Sequence, residues 1–303
     1  MTLFQELSYQ RHAKGFGADR SDPDRKRISD SWFDRSTADY WRHSRCYEIA
    51  KILGGIAGER WLTVGDGRFG LDAIRLKEQG ITDVLPTDLT EILLKESRER
   101  GLISSYSVEN AERLSFVDES FDYVFCKEAY HHFPRPLIAL YEMLRVSRKG
   151  VILVEPNDRL HSPIRMLRAA AKAMLGRKQH MDQNSYEEDG NYVFSISQRE
   201  LEKVGMGIDL PQVAFKGLND HYVQGIEFEP MSSDMAKKML RHIRQRDALC
   251  RMGLDHPSLL MACLFHKQLD QDKRIRMKAA GWQIVDLPRN PYHPAERPHT
   301  AVR

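Results

Sequence analysis

The 303-residue chain predicts an α/β fold built on a doubly wound, mostly parallel sheet. Three observations carry that expectation. Short apolar runs alternate with helical patterns from Trp61 to Pro156, the spacing that parallel strands with crossover helices require. A glycine-rich turn, GDGRFG from Gly65 to Gly70, follows the first run and opens a helix. Asp88 closes the second run 23 positions beyond Gly65, where a carboxylate at a strand end can accept both hydroxyls of a ribose.

Taken in order, residues 1–36 are charged and weakly periodic, and SDPDRKRISD reads as an exposed leader. A helix is expected over STADYWRHSRCYEIAKIL, capped by Ser36 or Thr37, with Tyr40, Trp41, Tyr47, Ile49 and Ile52 on one broad face. Strand one is Trp61–Val64, followed by a helix after Gly70. Strand two spans about Val84–Thr87, and the helix EILLKESRER stops at Gly101. A short strand at Tyr106–Val108 precedes the loop AERLSFVDES. Strand four is FDYVFC, then come the turn HHFPRP, the helix LIALYEMLRV and strand five, VILVEP. A basic helical run, IRMLRAAAKAMLGRK, an acidic loop, SYEEDGN, and a helix with the capping box Ser197/Glu200 come next. Residues 210–216 and 259–267 read as strands flanking the basic amphipathic helix DMAKKMLRHIRQRDALCRMG, and GWQIVDLPRNPYHP reads as a strand with a proline-rich end. The resulting organisation is a leader over 1–36, one domain over 37–290 and a tail over 291–303. The domain is expected to hold a seven-stranded sheet under an N-terminal helical lid, with helical insertions at about 158–195 and 218–256, after strands five and six.

Composition narrows the function classes. Hydrophobic residues make up 41%, enough for a sizeable core. The net charge is +3, from 46 basic and 43 acidic residues, which offers no phosphate track for nucleic acid. No apolar run approaches the roughly 20 residues of a membrane helix, and the N-terminus lacks the apolar core of a signal peptide. A soluble cytoplasmic protein is expected. Cys46, Cys126, Cys250 and Cys263 show no CxxC spacing. A zinc set of Cys250, His256, Cys263 and His266 lacks tightly paired ligands, so buried thiols and no metal are expected.

The stretches VGDGRFG, TDLTEILLKESRERG, ENAERLSFVDESFDYVFCKEAYHHFPRP and ALYEMLRVSRKGVILVEP decide the cofactor class. A nicotinamide cofactor would use the same glycine turn and Asp88, but dinucleotide domains do not share the LSFVDESFD loop or the HHF turn after strand four. Residues 60–156 resemble the class I S-adenosylmethionine-dependent methyltransferases that act on small molecules, and the likeness extends weakly through strand 259–267. The resemblance implies a Rossmann-like domain that binds S-adenosylmethionine. It implies that Gly65, Asp66 and Gly67 flank the methionine part, that Asp88 holds the ribose, and that Leu89 packs on the adenine. It sets Asn110 and Ala111 at the adenine edge and Lys127 beneath the sulfonium. Two positions depart from the family pattern: Thr63 and Asn110 stand where acidic residues are usual. Asn110 can still bond the adenine amino group through its side-chain carbonyl.

Methyl transfer from a sulfonium is an in-line displacement with an activated leaving group, so proximity and alignment supply most of the rate, about 7–11 kcal/mol. A base is needed only for a hydroxyl or a protonated amine. The candidates at the carboxyl edge are Glu128, His131, His132, Glu155 and Asp158, with His131 the leading base, Glu128 second and one histidine of the pair structural. Glu155 in this position more often orients its neighbours. Tyr40, Trp41 and Arg45 either cover the substrate or pack in the core. Arg159, Arg165 and Arg168 either clamp an anionic substrate group or form a solvated helix face, while Glu187, Glu188 and Asp189 carry the opposite charge. The acceptor implied is a small polar molecule, a hydroxyl of a sugar or secondary metabolite. A small amine, or a catalytically silent methyltransferase-like partner protein, is the alternative. Strand four ends in CKEA and lacks the Asn/Asp-Pro-Pro-aromatic motif of enzymes that methylate base amino groups.

Overall fold

A computed structural model describes residues 3–54, 58–159, 162–175, 186 and 192–292. In chain order the elements are α1 (Leu3–Ser21), α2 (Pro23–Ser31), α3 (Ala38–Ser44), α4 (Ala50–Leu53), β1 (Arg60–Val64), α5 (Leu71–Glu78), β2 (Asp83–Asp88) and α6 (Ile92–Glu99). They continue with β3 (Ser107–Val108), β4 (Phe121–Lys127), α7 (Pro136–Val146), β5 (Ser147–Pro156), α8 (Pro163–Met174) and α9 (Gln198–Gly207). The chain then forms β6 (Gln212–Leu218), α10 (Asp234–Arg251), β7 (Leu259–Phe265), α11 (Gln271–Ala279) and β8 (Gln283–Asp286).

The strands form one sheet in the order β3-β2-β1-β4-β5-β7-β6-β8. The first five are parallel, and β7 runs antiparallel to both β5 and β6. Strand order reverses between β1 and β4, and a doubly wound sheet opens a crevice at that point on its carboxyl edge. The strands read as almost continuous apolar runs because both faces are covered. Leu62, Val124, Cys126, Val151 and Leu153 pack under α7 and α9. Their neighbours Trp61, Tyr123, Phe125, Ile152 and Val154 pack on the other face with Leu53, Leu76 and Met277.

The structure departs from the sequence expectation in three places. The sheet has eight strands, not seven, because β8 pairs antiparallel with β6. Trp282 and Leu287, on either side of β8, are buried, and burying them holds the short strand on the edge. The leader expected to be exposed instead forms α1 and α2 and docks on the domain through polar contacts: Gln5 to Glu112 at 3.3 Å, His12 to Asp88 at 3.2 Å and Arg20 to Glu96 at 2.7 Å. The helix expected from Ser36 to Leu53 is broken into α3 and α4. Thr37 caps α3, its hydroxyl accepting the Tyr40 amide at 3.1 Å, and Ser197 caps α9 in the same way at 3.2 Å. Among the described residues no helix is long and apolar enough to cross a membrane. The acidic loop at 187–189 lies outside the described residues.

Candidate functional site

A cavity of about 500 Å³ opens at the carboxyl ends of β1, β2 and β4, beneath α1 and α3. The glycine turn supplies its floor. Gly65 has φ 75°, and a Cβ there would sit 2.3 Å from the Ala129 Cβ, so only glycine fits between β1 and the turn after β4. Gly65 and Asp66 line the cavity, whereas Gly67 lies within the turn, its carbonyl accepting the Phe69 amide.

Asp66, expected at the methionine part of a cofactor, has another task in addition to lining the wall. Its carboxylate accepts the amides of Asp72 and Ala73 at the start of α5, at 3.0 and 2.9 Å, and the Thr63 hydroxyl at 2.7 Å. Thr63 and Asp66 thus together put a carboxylate under the turn, three positions after the place where the resemblance expects it. Burial and the adjacent Asp72 raise the Asp66 carboxyl well above its ordinary range. Burial likewise raises Asp72, which accepts the Tyr47 hydroxyl.

The other expected cofactor residues, Asp88, Leu89, Asn110, Ala111 and Lys127, all line the same cavity. Asp88 ends β2, and its Oδ1 accepts the Thr90 amide at 2.9 Å, a turn that fixes the carboxylate toward the cavity. Asn110 Oδ1 accepts the Glu112 amide at 2.9 Å, which orients the side chain and leaves that oxygen a second lone pair. A concave polar end closed by a fixed strand-end carboxylate, beside a turn too close-packed for any side chain, suits a nucleoside with an amino-acid tail.

The turn after β4 is organised by Glu155, which is wholly buried on β5. Its Oε1 accepts the amides of Ala129 and Tyr130, at 3.1 and 2.9 Å, and its Oε2 lies 2.6 Å from His131 Nδ1. His131, the leading base candidate, is thereby fixed through its Nδ1. It is buried, it does not line the cavity, and its imidazole is held by Glu155. His132, its neighbour, does line the cavity, as does Glu128. Glu128 has φ 48°, an uncommon conformation for a side chain other than glycine, and its amide is tied to the Val154 carbonyl at 2.8 Å.

The Glu128 carboxylate pairs with the Lys127 ammonium. Enclosure opposes both charges, but their mutual attraction outweighs it, leaving Lys127 raised and Glu128 well below its ordinary range. His43, which sequence reasoning did not single out, completes this wall. Burial and the adjacent Lys127 hold it neutral, far below its ordinary pKa. Arg42 Nη2 lies 2.9 Å from His43 Nε2. A guanidinium can only donate, so Nε2 accepts and Nδ1 carries the proton, facing Glu128 Oε2 at 3.7 Å.

The expected substrate residues are placed elsewhere. Tyr40 donates to Glu78 at 2.8 Å beneath the Arg75 guanidinium. Trp41 packs with Ile226 and Met239 in a satellite core, and Arg45 stacks on it while bonding the Asn219 carbonyl and Asp220. Arg159 is held by both oxygens of Asp255, at 2.8 and 2.7 Å, and cannot serve as an open clamp. None of the four lines the cavity. The roof comes from the leader, with Ser8, Tyr9, His12 and Arg25.

Residues 62–154 match the family described as "Methyltransferase domain". The 2-methyl-6-phytyl-1,4-hydroquinone methyltransferase of Synechocystis is 32% identical over 103 residues, 33% of this chain and 28% of that relative. The match therefore spans less than a third of the relative's length. Among solved structures, the YcgJ protein of Bacillus subtilis aligns with a TM-score of 0.47 at 22% identity, covering 75% of this chain and 99% of the other. A SAM-dependent methyltransferase from Archaeoglobus fulgidus aligns with the same TM-score, 0.47, at 14% identity, covering 76% and 95%. Within this chain, residues 62–154 are thus the part that matches a methyltransferase domain.

Proposed function

We propose that the chain is an S-adenosylmethionine-dependent methyltransferase that moves a methyl group to a small polar acceptor, a hydroxyl of a sugar or secondary metabolite. The observation that carries this reading is one cavity joining Asp88, Leu89 and Asn110 to Glu128 and His132. Asp88 would hold the ribose hydroxyls, Leu89 the adenine face, Asn110 and Ala111 its edge, and the Gly65 turn the methionine part. When bound, S-adenosylmethionine supplies a methyl group already activated by its sulfonium. The protein's own residues then align the acceptor, exclude water and take one proton. His132 is the cavity-lining imidazole placed to accept a proton from an acceptor hydroxyl. Glu128, held ionised, is a weak base and a strong hydrogen-bond acceptor, and it orients the nucleophile.

A small amine is the second reading, favoured by the ionised Glu128 carboxylate beside the cavity.

The test is incubation of the full chain with methyl-labelled S-adenosylmethionine and separate pools of hydroxyl and amine metabolites. Label is expected in the hydroxyl pool and would be lowered about 10²–10⁴-fold by His132→Ala with cofactor affinity kept. Label confined to amines replaces the first reading by the second, and no transfer to either pool, with no cofactor binding, removes both.

A further inference from the structure

The segment that leaves the carboxyl edge of β5 has a use that cofactor binding does not explain. From Arg159 to Lys178 the sequence carries Arg159, Arg165, Arg168, Lys172, Arg177 and Lys178 and no acidic residue. Its base is fixed rigidly: Ser162 donates to Asp255 at 2.7 Å, and the Ile164 amide donates to the Leu254 carbonyl at 3.0 Å. Beyond that anchor α8 projects from the domain with its apolar side chains uncovered. Met166 is 57% exposed, Leu167 70%, Met174 85% and Leu175, just past the helix, 73%. At helical spacing Ile164, Leu167, Met174 and Leu175 fall on one side, while Arg168 and Lys172, one turn apart, fall together beside them. Neither Arg168 nor Lys172 has an ion-pair partner among the described residues.

A helix that buries almost nothing, with large apolar residues on one side and only cations beside them, gains nothing from its own domain. Those features suit the boundary of an anionic lipid bilayer, where apolar side chains enter the headgroup region and cations meet lipid phosphates. The helix is ~18 Å long at 1.5 Å per residue, too short to span and long enough to lie flat. We propose that α8 docks this protein onto an anionic membrane surface, through Leu167, Met174 and Leu175 on the lipid side and Arg168 and Lys172 at the phosphates. The charge of the segment selects lipid over a second copy of the chain, since two such basic faces would repel. Because α8 starts at the same sheet edge as the cavity, docking would bring that edge toward the lipid. The docking itself does not depend on the methyltransferase reading.

The experiment is co-sedimentation of the full chain with vesicles of phosphatidylcholine alone and of phosphatidylcholine mixed with phosphatidylglycerol. Binding is expected to the mixed vesicles only, and to fall as salt rises. At about fivefold per cation near the surface, Arg168→Glu with Lys172→Glu should weaken partitioning roughly 30-fold or more. Serine at Leu167, Met174 and Leu175 should abolish it while circular dichroism and cofactor binding stay unchanged. Absence of binding to either vesicle, or binding that survives both sets of substitutions, overturns the proposal. So does a wild-type dimer in sedimentation analysis that the serine variant converts to monomer, because the face then belongs to a second copy.

Discussion

Removing the His131 imidazole should cost stability, because its Nδ1 is held by the buried Glu155 carboxylate. The perturbation is His131→Phe, which keeps an aromatic ring but deletes the nitrogen 2.6 Å from Glu155 Oε2. Glu155 has no solvent access and takes the Ala129 and Tyr130 amides, the Cys126 thiol at 3.9 Å and this imidazole. A hydrogen bond to a charged group contributes about 1.5–3 kcal/mol, and a buried carboxylate stripped of one donor keeps its desolvation cost. The expected loss is therefore about 2–3 kcal/mol, a fall in Tm of roughly 5–10 °C at about 2–4 °C per kcal/mol for a domain this size. Urea unfolding of the wild type, His131→Phe, Glu155→Gln and the double variant gives the coupling directly. A coupling of about 1–3 kcal/mol is expected for groups in contact. Additive losses, or a His131→Phe protein as stable as the wild type, would show that the imidazole does not brace the turn, and the case for His132 over His131 would fall with it.

Three further outcomes follow from the geometry. Gly65→Ala should cost about 1–2 kcal/mol for left-handed backbone strain, with a further about 1–3 kcal/mol from overlap with Ala129, read as a lower urea midpoint and weaker cofactor binding. Asp255 is opposed by burial but held down to about 2 by Arg159, Ser162 and the His256 amide. Its folded pKa is depressed, so the stability it contributes is present above the ordinary carboxylate range and is lost as pH falls toward 2; Arg159→Met should flatten that acid loss in unfolding measured from pH 5 downward. His12→Ala removes the contact with Asp88 Oδ1 at 3.2 Å and should change cofactor affinity with little change in Tm, since His12 is a third exposed; unchanged affinity would mean that α1 takes no part in holding the cofactor.

Much of this architecture was legible because the forces behind it are local. Trp61–Val64, FDYVFC and VILVEP are apolar runs of strand length, and both sets of alternating residues are buried as doubly covered strands demand. The glycine turn and Asp88 were visible for the same reason: backbone geometry at Gly65 and a strand-end position leave few residue choices. What escaped the sequence depends on charges that meet across long separations. Arg159 finds Asp255, Arg45 finds Asp220, and His12 finds Asp88. Periodicity does not record such pairs, so a tethered arginine looked like a clamp and a docked leader looked solvated. His43 was hidden too, because only the fold brings Arg42, Lys127 and Glu128 around its ring.

Isothermal titration of S-adenosylmethionine into the full chain and into Asp88→Ala tests the central claim most directly. One site per chain is expected for the wild type, with affinity at least tenfold weaker in the variant, since about 1.5–3 kcal/mol of charged hydrogen bonding to the ribose is lost. Heat of binding that is unaffected by Asp88→Ala, or no binding by the wild type, would contradict it.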